Sequence, residues 1–219
     1  MKDKDPQDVI HDVKDVEDHL DRFFARKEVT FAQWVERFGG TFYRTRNEAI
    51  LAMVKKTKPR NVLEFACAGP FLAQMLVDNV RSIARYTCSN FSTRMVEYCQ
   101  ATLKNYPQCD VALIDADVRR STDMHRDRIA AYDTFITTSL EHIQFDLDLV
   151  NEFPTGATFI LSLARFDDPE HFRVFESAAD ITSRYGGLLK IKEIDESADR
   201  KKFVVSGVRR NASAGGDRL

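Results

Sequence analysis

Long apolar runs are missing from this sequence. Nowhere do eighteen hydrophobic residues follow one another, and the opening stretch MKDKDPQDVIHDVKDVEDHLDRF is charged throughout. Neither a membrane span nor a secretory leader is expected, so a soluble, cytoplasmic protein is. An excess of one charge is also missing. The 32 basic residues face 34 acidic ones, and no segment gathers Lys and Arg around interleaved aromatics as a nucleic-acid groove requires. Cysteine is sparse: Cys67, Cys88, Cys99 and Cys109 form no C-x-x-C pair, and the five histidines do not cluster near them. That spacing argues against zinc and for reduced, buried thiols. Glycine is scarce where its absence says most. The stretch NVLEFACAGPFLAQ, residues 61–74, is an apolar strand ending in an acid, then small residues before a helix, and only Gly69 among them is glycine. A dinucleotide-dependent oxidoreductase, which wants G-x-G-x-x-G, is disfavoured, because 66–71 reads A-C-A-G-P-F.

What is present is a chain of 219 residues, 43% of them hydrophobic, enough to bury the core of one α/β domain. Val9, Val13, Val16, Leu20 and Phe23 recur at helical spacing with acids between them, which predicts an amphipathic helix. Helical patterns follow at about 31–38 and 45–56, separated by Gly39-Gly40. After Pro59, short β-branched runs alternate with helices. NVLEF precedes a helix over 70–79, ARYTCS one over 92–104, DVALID one over 121–130, YDTFITT one over 145–152, and ATFILSL one over 169–184. This rhythm predicts a mainly parallel sheet with helices on both faces. LLKIKEI and KFVVSGV, separated by DESADRKK, read as a hairpin, and NASAGGDRL as a disordered tail. The expected organisation is a helical lid or cap over 1–58, an α/β core over 59–210 and a tail over 211–219. In such sheets a ligand sits outside the carboxyl ends of the strands, near the point where strand order reverses.

Four segments at those strand ends share an order with a known family. Glu64-Phe65-Ala66-Cys67-Ala68-Gly69-Pro70 has an acid followed by alternating small positions. ARYTCSNFSTRMVEYC has Asn90, Ser92 and Met95 in the spacing D-x-S-x-x-M. LIDADV offers Asp115 and Asp117, and YDTFITTSLEHIQF carries Asp133, Thr137, Thr138 and the pair Glu141-His142. From 61 to about 210, two-thirds of the chain, the sequence resembles the class I S-adenosylmethionine-dependent methyltransferases of the small-molecule type. The resemblance implies a Rossmann-like seven-stranded sheet ending in an antiparallel hairpin, with an N-terminal helical lid. It also implies S-adenosylmethionine as cofactor and methyl transfer to a small-molecule acceptor.

Carried over position by position, the resemblance assigns Glu64, Ala66, Ala68 and Gly69 to the cofactor turn, and Asn90, with Phe91 and Met95, to the ribose side. Asp115 or Asp117 would meet the adenine; Asp117, with Val118, is preferred. Thr137 lies under the expected methyl, and Tyr43 and Arg44 come from the lid. Glu141 and Arg173 fall on the acceptor side, with His142 and His171 as catalytic candidates. His142 suits a general base where the acceptor begins protonated, and equally a residue that caps or orients its loop. Asn90 also suits an ordinary turn, Tyr43 a core position, and His171 with Arg173 a solvated helix start.

The departures matter physically. Ala66, Ala68 and Pro70 stand at the three glycine positions, keeping small volume but not torsional freedom. Asn90 replaces the ribose carboxylate, so the charge-assisted part of that contact is lost and moderate cofactor affinity is expected. Thr138 stands where ubiquinone-type relatives can carry an extra acid, and no metal is expected. These departures keep open a second reading, a methyltransferase-like domain without catalysis that acts as a binding or regulatory partner. Monomer and homodimer are both compatible with the sequence.

Overall fold

A computed structural model describes residues 2–3, 13–26, 28–39, 41–114, 129–138, 140, 143, 146–166, 171–199 and 201–211. Its strands are β1 (Lys2–Asp3), β2 (Asn61–Phe65), β3 (Arg85–Asn90), β4 (Cys109–Leu113), β5 (Thr134–Thr137), β6 (Thr158–Ala164), β7 (Arg173–Val174), β8 (Leu189–Asp199) and β9 (Lys202–Arg209). The helices are α1 (Val13–Arg26), α2 (Phe31–Gly39), α3 (Thr41–Thr57), α4 (Phe71–Asn79), α5 (Thr93–Leu103), α6 (Asp146–Glu152) and α7 (Ala178–Tyr185).

Seven strands form one sheet in the order β4-β3-β2-β5-β6-β9-β8, parallel except for β9, which runs antiparallel to both β6 and β8. This is the Rossmann-like architecture, with helices on both faces and helices preceding the sheet. Side chains alternate across it, as a period of two demands. Leu63, Phe65, Phe135, Phe159, Leu161 and Phe203 meet α6 and α7 on one face. Val62, Ile136, Ile160 and Val204 meet α3, α4 and α5 on the other. The helix α3, expected within a lid, lies across β6, β9 and β8 beside α4 and buries Ile50, Met53 and Val54.

Two segments differ from expectation. The helix expected over 169–184 is confined to α7, because Arg173–Val174 pairs with Lys2–Asp3 instead. Ser177 and Asp180 then close a reciprocal capping box that starts the helix only at Ala178. The hairpin turn is also shorter than DESADRKK. The strand β8 continues to Asp199 through two register shifts, between Ile191 and Glu193 and between Asp195 and Asp199. The expected helix over 121–130 lies almost wholly outside the described residues.

Below the α6–α7 face sits a buried ionic cluster. Asp146, 1% exposed, accepts from Arg184 Nε at 2.8 Å and Nη2 at 2.6 Å, and from the Tyr185 hydroxyl at 2.7 Å. Arg173 Nη1 lies 3.1 Å from the same carboxylate and donates to the Ile143 carbonyl at 2.7 Å. Removing one partner of a buried charge cluster costs roughly 3–5 kcal/mol, since the other charges are left desolvated. Asp146→Ala is expected to lower stability by about that amount in urea denaturation, while Asp148→Ala, on the same helix, should change it by less than about 1 kcal/mol.

Candidate cofactor site

Sequence order reverses between β2 and β5: the chain leaves β2 towards β3 on one side and β5 towards β6 on the other. The connections therefore part at the carboxyl ends of this pair, and a crevice opens there. The turn after β2 occupies it. Ala66 adopts a left-handed φ of 56° and Gly69 a φ of 139°, so the small-residue positions bend as glycines would. At Gly69 the torsion, rather than space, demands glycine. A Cβ there would meet the Phe71 ring at 3.5 Å and Val35 of α2 at 3.9 Å, ordinary contact distances. Pro70 is the N-cap of α4, its carbonyl accepting from Gln74 N–H at 3.0 Å.

Glu64 lies below this turn, 1% exposed, accepting from the Tyr86 hydroxyl at 2.9 Å with Cys88 Sγ at 3.8 Å. Burial pushes its carboxyl up to about 8, reinforced by negative charge on Cys67 and opposed by the Tyr86 hydrogen bond and the Arg46 guanidinium. The Cys67 thiol is held well below its ordinary range by hydrogen bonds from Cys88 and Cys99, and then from Gly69 and Asn90. Glu64 and Cys67 thus compete for negative charge beneath the turn.

Asn90 joins the turn to the end of β3. Its Nδ2 donates to the Cys67 carbonyl at 2.5 Å and its Oδ1 accepts from Ser92 N–H at 2.8 Å, a pattern that fixes the orientation of the amide. The amide also reaches the Cys67 thiol, and one lone pair of Oδ1 is not engaged by these bonds. Ser92 is the N-cap of α5, accepting from Met95 N–H at 3.1 Å. The first helix docks here: Ser92 Oγ donates to Glu17 at 2.8 Å, and Arg94 pairs with Asp21 at 3.0 Å. Phe91 stands half-buried beside the turn, edge-on to Phe65 at 5.7 Å, whereas Met95 is buried in the core beneath α5.

Thr137 ends β5 and Thr138 follows it, both buried, and among the described residues Thr138 Oγ1 has no hydrogen-bond partner. Tyr43 and Arg44 separate. Arg44 points outward to Glu48 at 2.9 Å, with side chains 71% and 53% exposed. Tyr43 instead lies under the guanidinium of Arg46, 4.4 Å from its ring centroid. Arg46 is only 3% exposed and also donates to Asn47 Oδ1 at 3.0 and 2.8 Å. It is the buried cation near the turn that the sequence reading missed. Its spacing four residues before Ile50 and seven before Met53, on the buried stripe of α3, is the signal that identifies it.

His171, 5% exposed, has Nδ1 3.0 Å from the Phe166 carbonyl, so that nitrogen carries the proton. Arg173 belongs to the Asp146 cluster, at the far side of the β6 carboxyl end. Asp115, Asp117, Val118, Glu141 and His142 lie outside the described residues. Ala68 is half-buried in the turn.

No family model matches this chain, and no curated protein matches it. Solved structures do. The N-methyltransferase NodS from Bradyrhizobium japonicum WM9 in complex with S-adenosyl-L-homocysteine superposes with a TM-score of 0.59 at 18% identity, over 82% of this chain and 98% of that one. A SAM-dependent methyltransferase from Aquifex aeolicus gives a TM-score of 0.59 at 11% identity, over 80% and 96%. PigF with S-adenosyl-L-homocysteine gives 0.61 at 14% identity, over 86% of this chain and 61% of that one. At these identities the likeness is one of fold, the class I methyltransferase fold.

Two outcomes follow from the turn. A left-handed torsion costs a non-glycine residue about 1–2 kcal/mol, while glycine's freedom in the unfolded chain returns about 0.4–1 kcal/mol of that difference. Ala66→Gly should therefore stabilise the protein by about 0.5–1 kcal/mol, a rise in Tm of about 2 °C in calorimetry. For Glu64, a folded value of about 8 against an ordinary 4.5 means that the native state holds the proton more tightly. Stability from this group is present below 4.5 and lost as pH rises towards 8. Denaturation of wild type and Glu64→Gln across that range should show wild type declining relative to the variant.

Proposed function

We propose that this chain is an S-adenosylmethionine-dependent methyltransferase that acts on a small-molecule acceptor by in-line displacement. The observation that carries this reading is the Asn90 bridge, which holds the left-handed turn at Ala66–Gly69 against the end of β3 at the point where strand order reverses. The residues fit the cofactor. The turn keeps small side chains at its bends, Asn90 retains an acceptor lone pair for a ribose hydroxyl, and the Thr138 hydroxyl, without a partner among the described residues, is buried just after β5.

When bound, S-adenosylmethionine supplies an activated methyl group on a sulfonium. The chain's own part is to bind and position. Ala66, Ala68 and Gly69 let backbone approach the amino-acid portion, and Arg46, buried above Glu64, offers its carboxylate a cation. Phe91, Asp117 and Val118 would hold the adenosine portion, and Thr137 and Thr138 would face the acceptor. The helices α1 and α2 act as the lid, tied down at Ser92 and over Gly69, and exclude water. Holding the acceptor atom in line contributes on the order of 7–11 kcal/mol at best. His142 serves as base where the acceptor is protonated, Glu141 contacts the acceptor, and His171 with Arg173 shapes that side of the crevice from behind.

A second reading, a non-catalytic binding domain of the same fold, is favoured by one observation: both ends of the Asn90 amide already hold the protein's own backbone. Isothermal titration separates the two from the outset. Wild type should bind S-adenosylmethionine and S-adenosylhomocysteine in the micromolar range, weakened about tenfold in Asn90→Ala, the equivalent of one lost hydrogen bond. Absence of binding to either compound would remove the methyltransferase reading.

A further inference from the structure

The sheet has two edges, and they are built differently. At one edge, β8 carries two register shifts and alternating charges, and Lys56 of α3 reaches over to Glu193 at 2.7 Å. Bulges and charges of this kind stop an edge strand from pairing with another chain. The strand β4 at the opposite edge has no register shift and a single charge. Its five residues, Cys-Asp-Val-Ala-Leu, pair with β3 in unbroken register from Cys109 to Leu113. Its one charge, Asp110, is neutralised by Arg85 of the adjacent strand at 2.8 Å.

The helix α5 covers one face of this strand, at Cys109 and Val111, but no residue of the strand is fully buried. All five residues are half-buried or exposed, and Leu113, at 41%, is the exposed large hydrophobic residue among those described. On the α6 face, Asp110, Ala112 and the following Ile114 border a cavity of about 430 Å³. Among the described residues no strand pairs with the outer edge of β4. Unpaired backbone with apolar side chains is a template for strand addition.

We propose that β4 pairs antiparallel with β4 of a second copy, joining two sheets across a two-fold axis. The strand is self-complementary in the one register that pairs all five residues, which is centred on Val111. Cys109 then faces Leu113 of the other copy, Val111 faces Val111, and Asp110 faces Ala112. No like charges oppose each other, and the exposed Leu113 is covered. Isologous pairing of this kind closes at two subunits. A five-residue edge buries less than the roughly 1,200–2,000 Å² of a stable complex, so the dimer is a micromolar one.

Sedimentation velocity of the full chain over roughly 1 to 200 μM tests this, because mass action makes the dimer fraction depend on concentration. Wild type should shift from monomer to dimer. Leu113→Lys should weaken association about tenfold or more, since a charge replaces the apolar contact with Cys109. Ala112→Lys, which sets a cation opposite Asp110 of the second copy, should tighten it. Leu113 is exposed and Ala112 is half-buried at the mouth of the cavity, and an unchanged circular dichroism melt verifies folding. A wild type that stays monomeric throughout overturns the proposal, leaving this edge to a strand of a different protein. A dimer whose affinity neither substitution changes overturns it too, by showing that another surface is used.

Discussion

The pairing of β2 with β5 is the constraint on which the rest of the molecule depends. These two strands are parallel neighbours, yet the chain leaves them in opposite directions, so a crevice opens beyond their carboxyl ends. Their amino ends are fastened instead. The Asp133 carboxylate, at the start of β5, accepts from the Arg60 and Asn61 amides at the start of β2, both at 2.9 Å. One end of the pair is closed by a charge-assisted clasp, and the other is held open by topology.

What fills the open end is stabilised from below. The turn at Ala66–Gly69 rests on buried ionisable groups, Glu64, Tyr86 and the thiols of Cys67, Cys88 and Cys99, which exchange hydrogen bonds and share little solvent. Arg46 offsets their charge from α3. In a low-dielectric setting such a network gains strength only when its members are satisfied together. The same residues that shape the turn therefore tie its geometry to protonation state.

The elements before the sheet are anchored at two separate places around the crevice. Lys2–Asp3 pairs with Arg173–Val174 beyond β6, and Glu17 holds Ser92 at the start of α5. Arg173 carries this further, since its guanidinium also reaches Asp146 between α6 and α7. Arg173 is thus shared between the strand pair at Lys2–Asp3 and the buried ionic cluster.

Sequence alone determined the alternation of strands and helices, the closing antiparallel hairpin and the position of the turn after NVLEF, because these follow from local periodicity and from where small residues interrupt it. Only the tertiary structure decided which polar groups meet. That Asn90 bridges to the Cys67 carbonyl, that Arg46 rather than Arg44 turns inward, and that Arg173 joins Asp146 all depend on strand order and helix rotation, which bring together residues 23 or more apart in the chain or set the face of one helix. The extent of β8 and the late start of α7 were likewise set by pairing, with the next strand Lys202–Arg209 and with the remote Lys2–Asp3. Local propensity proposes an element, and the hydrogen bonds of its neighbours determine where it ends.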